Sequence, residues 1–148
     1  MSNGPLAANK AVLKRVLKSY EKGDLEPILA LLDDNIVWRS NALAKHYRFA
    51  GRRQGRAGVI EALSMIAADF QVSRYEPIEL VGEGDVIWAS SEVSCLDRKA
   101  GRQLSFLLVN RWEFRDVRIV SCSEFFDTAD VLQQQGRLPD PLPVAVRA

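Results

Sequence analysis

Two carboxylates and an amide stand at alternating positions among aromatic side chains in the second half of this chain. Reading every second residue groups Trp88, Ser90, Glu92 and Ser94 on one run, Phe106, Leu108, Asn110 and Trp112 on the next, and Val120, Cys122, Glu124 and Phe126 on a third. Side chains of a strand alternate between the two faces of a sheet, so each group shares a face, and the three together read as a pocket wall. A carboxylate on an apolar interior face must be paired, hydrogen-bonded or protonated, because its stranded charge costs roughly several kcal/mol. Glu124 is therefore the first candidate for a general acid or base, against the alternative of an ion pair with Arg118. Glu92 is the second carboxylate, with the reservation that a one-residue bulge turns it to the outer face. Asn110 has an amide to offer a ligand carbonyl or a neighbouring polar group. Trp38, Trp88, Phe106, Trp112 and Phe126 read as an aromatic cage or as core, with Ser40, Ser90, Ser94, Leu108 and Cys122 as further lining.

Other chemistries find less support. His46 is the only histidine, which leaves no basis for a multi-histidine metal site or the usual serine–histidine pairing. The segment from Gly51 to Gly58 is rich in glycine and arginine but lacks the lysine and hydroxyl of a phosphate-binding P-loop. Arg48, Arg52, Arg53 and Arg56 read as a solvated basic loop. The formal net charge of +1 gives no domain-wide basic bias, and nucleic acid is not an expected partner. Cys95 and Cys122 fall on opposite parities of strands that a third strand separates, so no disulfide is expected and a reducing, cytoplasmic setting is. No cofactor and no metal are called for. The N-terminus does not read as a signal peptide, and no apolar run reaches membrane-spanning length.

The elements that must position these residues follow from periodicity. The spacing predicts a helix over 6–22 burying Leu13, Val16, Leu17 and Tyr20, with Gly23 in the left-handed position after it, then a short helix over 25–32. A strand over 36–40 follows, then a loop over 41–58 and a third helix over 57–70 burying Ile60, Leu63, Ile66 and Ala67. Long strands are predicted over 71–81, 86–96, 102–114 and 117–126, with Arg115-Asp116 as the last turn. Asp127 or Thr128 caps a short final helix ending near Gly136. With 148 residues the chain reads as a single domain with its core over about 6–135 and a proline-rich tail, 136–148, that frays or straps a partner. Helices first and a strand meander after them predict an α+β fold with helices on one face of a curved antiparallel sheet.

This order, with Gly23-Asp24-Leu25 between two helices, Asp33-Asp34 before a strand and Glu124-Phe-Phe-Asp-Thr128 closing the sheet, resembles the nuclear transport factor 2-like superfamily. Its SnoaL-like and ketosteroid isomerase-like branch is the nearest, over roughly residues 10–132. The resemblance implies a cone-shaped, cystatin-like fold, a deep apolar cavity and homodimers through the outer sheet face. Counted without gaps from Gly23, the isomerases' aspartate base falls on Ser40, their oxyanion tyrosine on Val16 and their second oxyanion donor on Asn110. Serine is no base at neutral pH and valine donates no hydrogen bond, which disfavours steroid isomerisation by that route. Polyketide cyclases and limonene epoxide hydrolase-like members place an acid on the last strand before an aromatic pair and an aspartate, the place of Glu124. The arginine that completes the epoxide hydrolases' relay is missing beside Glu92. The expected activity is binding of a small apolar molecule with cofactor-independent acid–base chemistry through Glu124, assisted by Glu92 and Asn110. A non-catalytic ligand carrier or interaction module of the same fold is the alternative.

Overall fold

The computed structural model describes residues 4–138, and the proline-rich segment from Pro139 onward lies outside the described residues. Helix α1 (Pro5–Glu21) opens on a proline at its first position, where the missing N–H costs nothing, and ends at Gly23 with φ +82°. Its buried stripe is Asn9, Leu13, Val16 and Leu17, with Tyr20 partly buried one turn on. A short helix α2 (Glu26–Leu31) leads directly into strand β1 (Leu32–Ser40). Strand β2 (Gly51–Gln54) pairs back on β1, and helix α3 (Gly55–Asp69) follows it. Strands β3 (Phe70–Glu83), β4 (Val86–Asp97), β5 (Arg102–Arg115) and β6 (Arg118–Phe126) form an antiparallel meander, closed by helix α4 (Thr128–Gln134). The Asp127 side chain caps α4 by accepting from the Asp130 N–H at 3.0 Å.

The sheet has six strands in the order β2-β1-β6-β5-β4-β3, antiparallel throughout except for the parallel β1–β6 pair. That pair brings the N-terminal strand beside the last one. The two register shifts in β3, between Val72 and Arg74 and between Pro77 and Glu79, bend the long meander. Helices α1 and α3 lie on the concave face. Arg56 ties α3 to β1 by donating to the Leu32 carbonyl at 2.8 Å. Glu21, at the end of α1, accepts the Tyr75 N–H of β3 at 2.8 Å and pairs with Lys18 at 2.9 Å.

Three expectations need correction. The 41–58 segment is not all loop: Tyr47, Phe49 and Ala50 are buried, and β2 is an edge strand whose arginines mask it in the sequence. The buried face of α3 is Val59 and Ala62, with Leu63 and Ile66 packed against the core, whereas Ile60 is 41% exposed and Ala67 is also exposed. The β5–β6 turn is Asp116-Val117, both at positive φ, one residue later than predicted.

Candidate active site

The inner face of the sheet is set by register, since directly paired residues share a face. Asn110 pairs with Glu124 on β6 and with Ala89 on β4, and Leu108 and Phe106 pair with Ser91 and Val93. The inner face of β4 is therefore Ile87, Ala89, Ser91, Val93 and Cys95, and the predicted face is the outer one. Trp88 is 41% exposed and stacks on Phe125 with ring centroids 6.1 Å apart. Glu92 is exposed and paired with Arg74 at 2.7 Å. Ser94 shares a hydrogen bond with Ser105 at 3.0 Å on the same outer surface, and Ser90 lies between Trp88 and Glu92 along that face of the strand. None of these four lines the cavity. Cys95 correspondingly faces inward, and both cysteines are free and buried.

The concave face encloses a cavity of about 120 Å³. Of the expected residues, Trp38, Phe106, Leu108, Asn110, Trp112, Glu124 and Phe126 line it, and Ser40 and Cys122 are buried immediately behind Glu124 and Asn110. Tyr20 from α1, Tyr75 from β3 and Tyr47 with Phe49 from the β1–β2 connection complete it. Tyr75 was not readable from the alternation, because the register shift just before it moves it off the strand's parity. Tyr47 and Phe49 were hidden in a segment without period.

Glu124 is the one carboxylate in the wall. Parallel pairing sets it beside Ser40 and antiparallel pairing sets it beside Asn110. Its main-chain carbonyl accepts from both the backbone and side-chain N–H of Asn41, at 3.1 and 3.0 Å, which fixes the strand end. Burial pushes its carboxyl up to about 7, and the nearby Ser40 hydroxyl and Asn110 amide hold that rise back. Neither closes a hydrogen bond of good geometry on it: the Ser40 hydroxyl has no partner among the described residues. The Asn110 amide N–H lies 3.8 Å from the Cys122 sulfur. Tyr75 donates its hydroxyl to Asn110 Oδ1 at 3.0 Å, which turns the amide nitrogen toward Glu124 and Cys122. Tyr20 meets Tyr75 edge-on, with centroids 5.4 Å apart. Burial, and then the Glu124 charge, raises both phenols, so they are donors. Cys122 is likewise pushed well up by burial, which makes it a poor nucleophile.

The four arginines of the 48–56 segment are all engaged: Arg48 with Asp69, Arg52 with Gln54, Arg53 with Glu61 and Arg56 with the Leu32 carbonyl. Among the described residues no cluster of three or more His, Cys, Asp or Glu side chains is placed to hold a metal ion. No helix among them is long and apolar enough to cross a membrane.

The SnoaL-like domain family matches residues 13–122, from within α1 through the first half of β6, so that most of the cavity wall falls inside the match while Glu124 and Phe126 lie just beyond its end. The chain belongs to the SnoaL-like domain family. Its structure is similar to an NTF2-like protein of unknown function from Burkholderia pseudomallei, with a TM-score of 0.78, 22% identity and coverage of 90% of this chain and 98% of that one. A protein from Rhodopseudomonas palustris, provisionally described as an isomerase, gives a TM-score of 0.75 at 23% identity, covering 90% and 97% of the two chains. TerC, crystallised with polyporic acid, gives 0.75 at 19% identity over 86% and 98%. At these identities the likeness establishes the nuclear transport factor 2-like fold and not an activity. No curated protein matches the chain.

Proposed function

We propose that this SnoaL-like protein binds a small, largely apolar molecule in its cavity and moves a proton on it, with Glu124 as the acid–base group. The observation that carries this reading is a single buried carboxyl, raised to about 7 by burial, in a largely apolar wall. A group that titrates near neutrality is present in both forms there, so it is able to take a proton and return it. Asn110, its amide orientation set by Tyr75, holds a ligand carbonyl or hydroxyl beside that carboxylate. Enolisation, cyclisation, dehydration and epoxide opening each need only this proton movement or an activated water. The isomerase reading of the Rhodopseudomonas relative and the polyporic acid crystallised with TerC are compatible with it. Glu92 has no part, since it points away from the cavity.

The test begins with thermal shifts of the wild-type protein against small uncharged ketones, epoxides and lactones, because a ligand that binds the folded state raises its melting temperature. For a hit that is turned over, Glu124→Gln is expected to retain binding and lose about 100-fold or more in kcat. Full turnover by Glu124→Gln removes Glu124 as the base. The alternative, a non-catalytic binding or interaction module, is favoured by the apolar outer face, where Trp88, Leu107 and Phe125 are 41–52% exposed. We read that face as a homodimer interface. The two buried free thiols fit a reducing cytoplasm.

A further inference from the structure

Beside the cavity lies a second, open chamber of about 790 Å³, and Tyr47, Phe49 and Phe70 line both spaces. The two differ in chemistry. The cavity wall is apolar but for Glu124, Asn110 and tyrosine hydroxyls, whereas the chamber is lined by Lys45, Arg48, Lys99 and Arg137 with Asp69 and Asp97. The two acids are already engaged. Arg48 holds Asp69 through two bonds of 2.8 Å, and Asp97 accepts from the Lys99 and Ala100 N–H groups and from the Gln135 amide. Lys45, Lys99 and Arg137 have no carboxylate partner among the described residues. Three cations without a carboxylate partner thus stand around one chamber beside an apolar cavity.

Arg137 is also held in place. It donates from Nη1 to the His46 carbonyl at 3.0 Å and to Gln135 Oε1 at 3.4 Å, and its Nη2 lies 3.3 Å from His46 Nδ1. Its guanidinium sits 5.7 Å from the ring centre of Tyr47, which lines both spaces. Gln135, itself buried, is anchored by Asp97 and receives the Tyr47 hydroxyl at 3.4 Å. These contacts leave the Nε–H and one Nη2–H of Arg137 without an acceptor among the described residues. That is the edge by which Arg48 grips the Asp69 carboxylate in the same chamber. A planar pair of N–H donors matches a carboxylate in two-point geometry.

We propose that this chamber is a carboxylate subsite, and that the ligand is an apolar molecule carrying a carboxylate, its apolar end in the cavity and its anionic end on Arg137 with Lys99 and Lys45 nearby. The inference rests on the reading of the cavity as a ligand site and adds to it the class of ligand. The experiment is calorimetric titration of the full chain with phenylalkanoates from phenylacetate to 6-phenylhexanoate and with their uncharged primary amides. The expected result is that, at the best length, the acid binds about tenfold or more tightly than its amide. Arg137→Gln should bring the acid down to the affinity of the amide while leaving the amide unchanged. Lys99→Gln, an independent variant, should lose part of the preference, and 0.5 M salt, a condition of the test, should shrink it. Equal binding of acid and amide by the wild type, or a preference that survives Arg137→Gln, overturns the subsite while leaving the cavity reading standing. Binding of neither also overturns it, and the uncharged ketone, epoxide and lactone panel then decides the cavity reading separately.

Discussion

Glu124 couples the chemistry of the site to the stability of the fold. An unperturbed glutamate titrates near 4.5, and burial lifts this one to about 7. The folded state therefore favours the protonated form. The stabilisation this gives is complete below pH 4.5, shrinks as pH rises, and is gone once pH has passed the folded value of about 7. Urea denaturation across pH 4.5 to 8 is expected to show Glu124→Gln gaining on the wild type through that window. The difference should level off above pH 7 at on the order of 3 kcal/mol, since each tenfold change in proton affinity is worth about 1.4 kcal/mol. Parallel curves would mean that the carboxyl is not held in its neutral form. At this scale the sequence was partly legible. Alternation along β5 and β6 brought Asn110 and Glu124 to one face, as the register has them. The hydroxyl that orients Asn110 comes from Tyr75, beyond a bulge that no parity rule crosses.

The elements show why some faces read correctly and one did not. On β5 and β6 one parity is clearly the more apolar, but β4 has apolar members on both: Ile87, Ala89, Val93 and Cys95 on one, Trp88 and Leu96 on the other. Trp88, the largest of them, makes the outer parity look like the inner one. Its actual partner is Phe125 on the outer surface, an interaction between strands that the sequence does not display. The hairpin between β5 and β6 lies one residue later than the pattern predicts for a related reason, because Val117 has the type of a strand residue. It sits instead at φ 63°, after Asp116 at φ 47°, and is 70% exposed. Two consecutive positive φ values in a two-residue turn are the type I′ geometry, which suits Asn-Gly and strains a β-branched side chain. Val117→Gly is expected to raise stability by about 1 kcal/mol. A thermal melt would show this as an increase of a few degrees with no change in ligand affinity, whereas a lower melting temperature would place the strain elsewhere.

For the whole molecule, the order of helices before meander is enough to predict the α+β class, because a sheet with one apolar face needs a cover and, among the described residues, the long helices α1 and α3 precede the meander. The outer face carries its own apolar patch, with Leu107 52% exposed opposite Glu92 on the neighbouring strand. Sedimentation velocity should find the wild type as a dimer and Leu107→Glu, which sets two carboxylates side by side, as a monomer. A monomeric wild type would leave that patch to another partner. The parallel pairing of β1 with β6 has a further consequence during synthesis. The strand bearing the acid stands between β1 and β5 in the sheet but follows both in the chain, so the sheet does not close until β6 inserts. Until β6 inserts, β1 and β5 each lack one hydrogen-bonded neighbour, and the apolar face between them lacks its middle strand. Such chains are slow to finish and prone to stick to one another, and a chaperone that shields the β5 edge would matter most in the interval before β6 arrives.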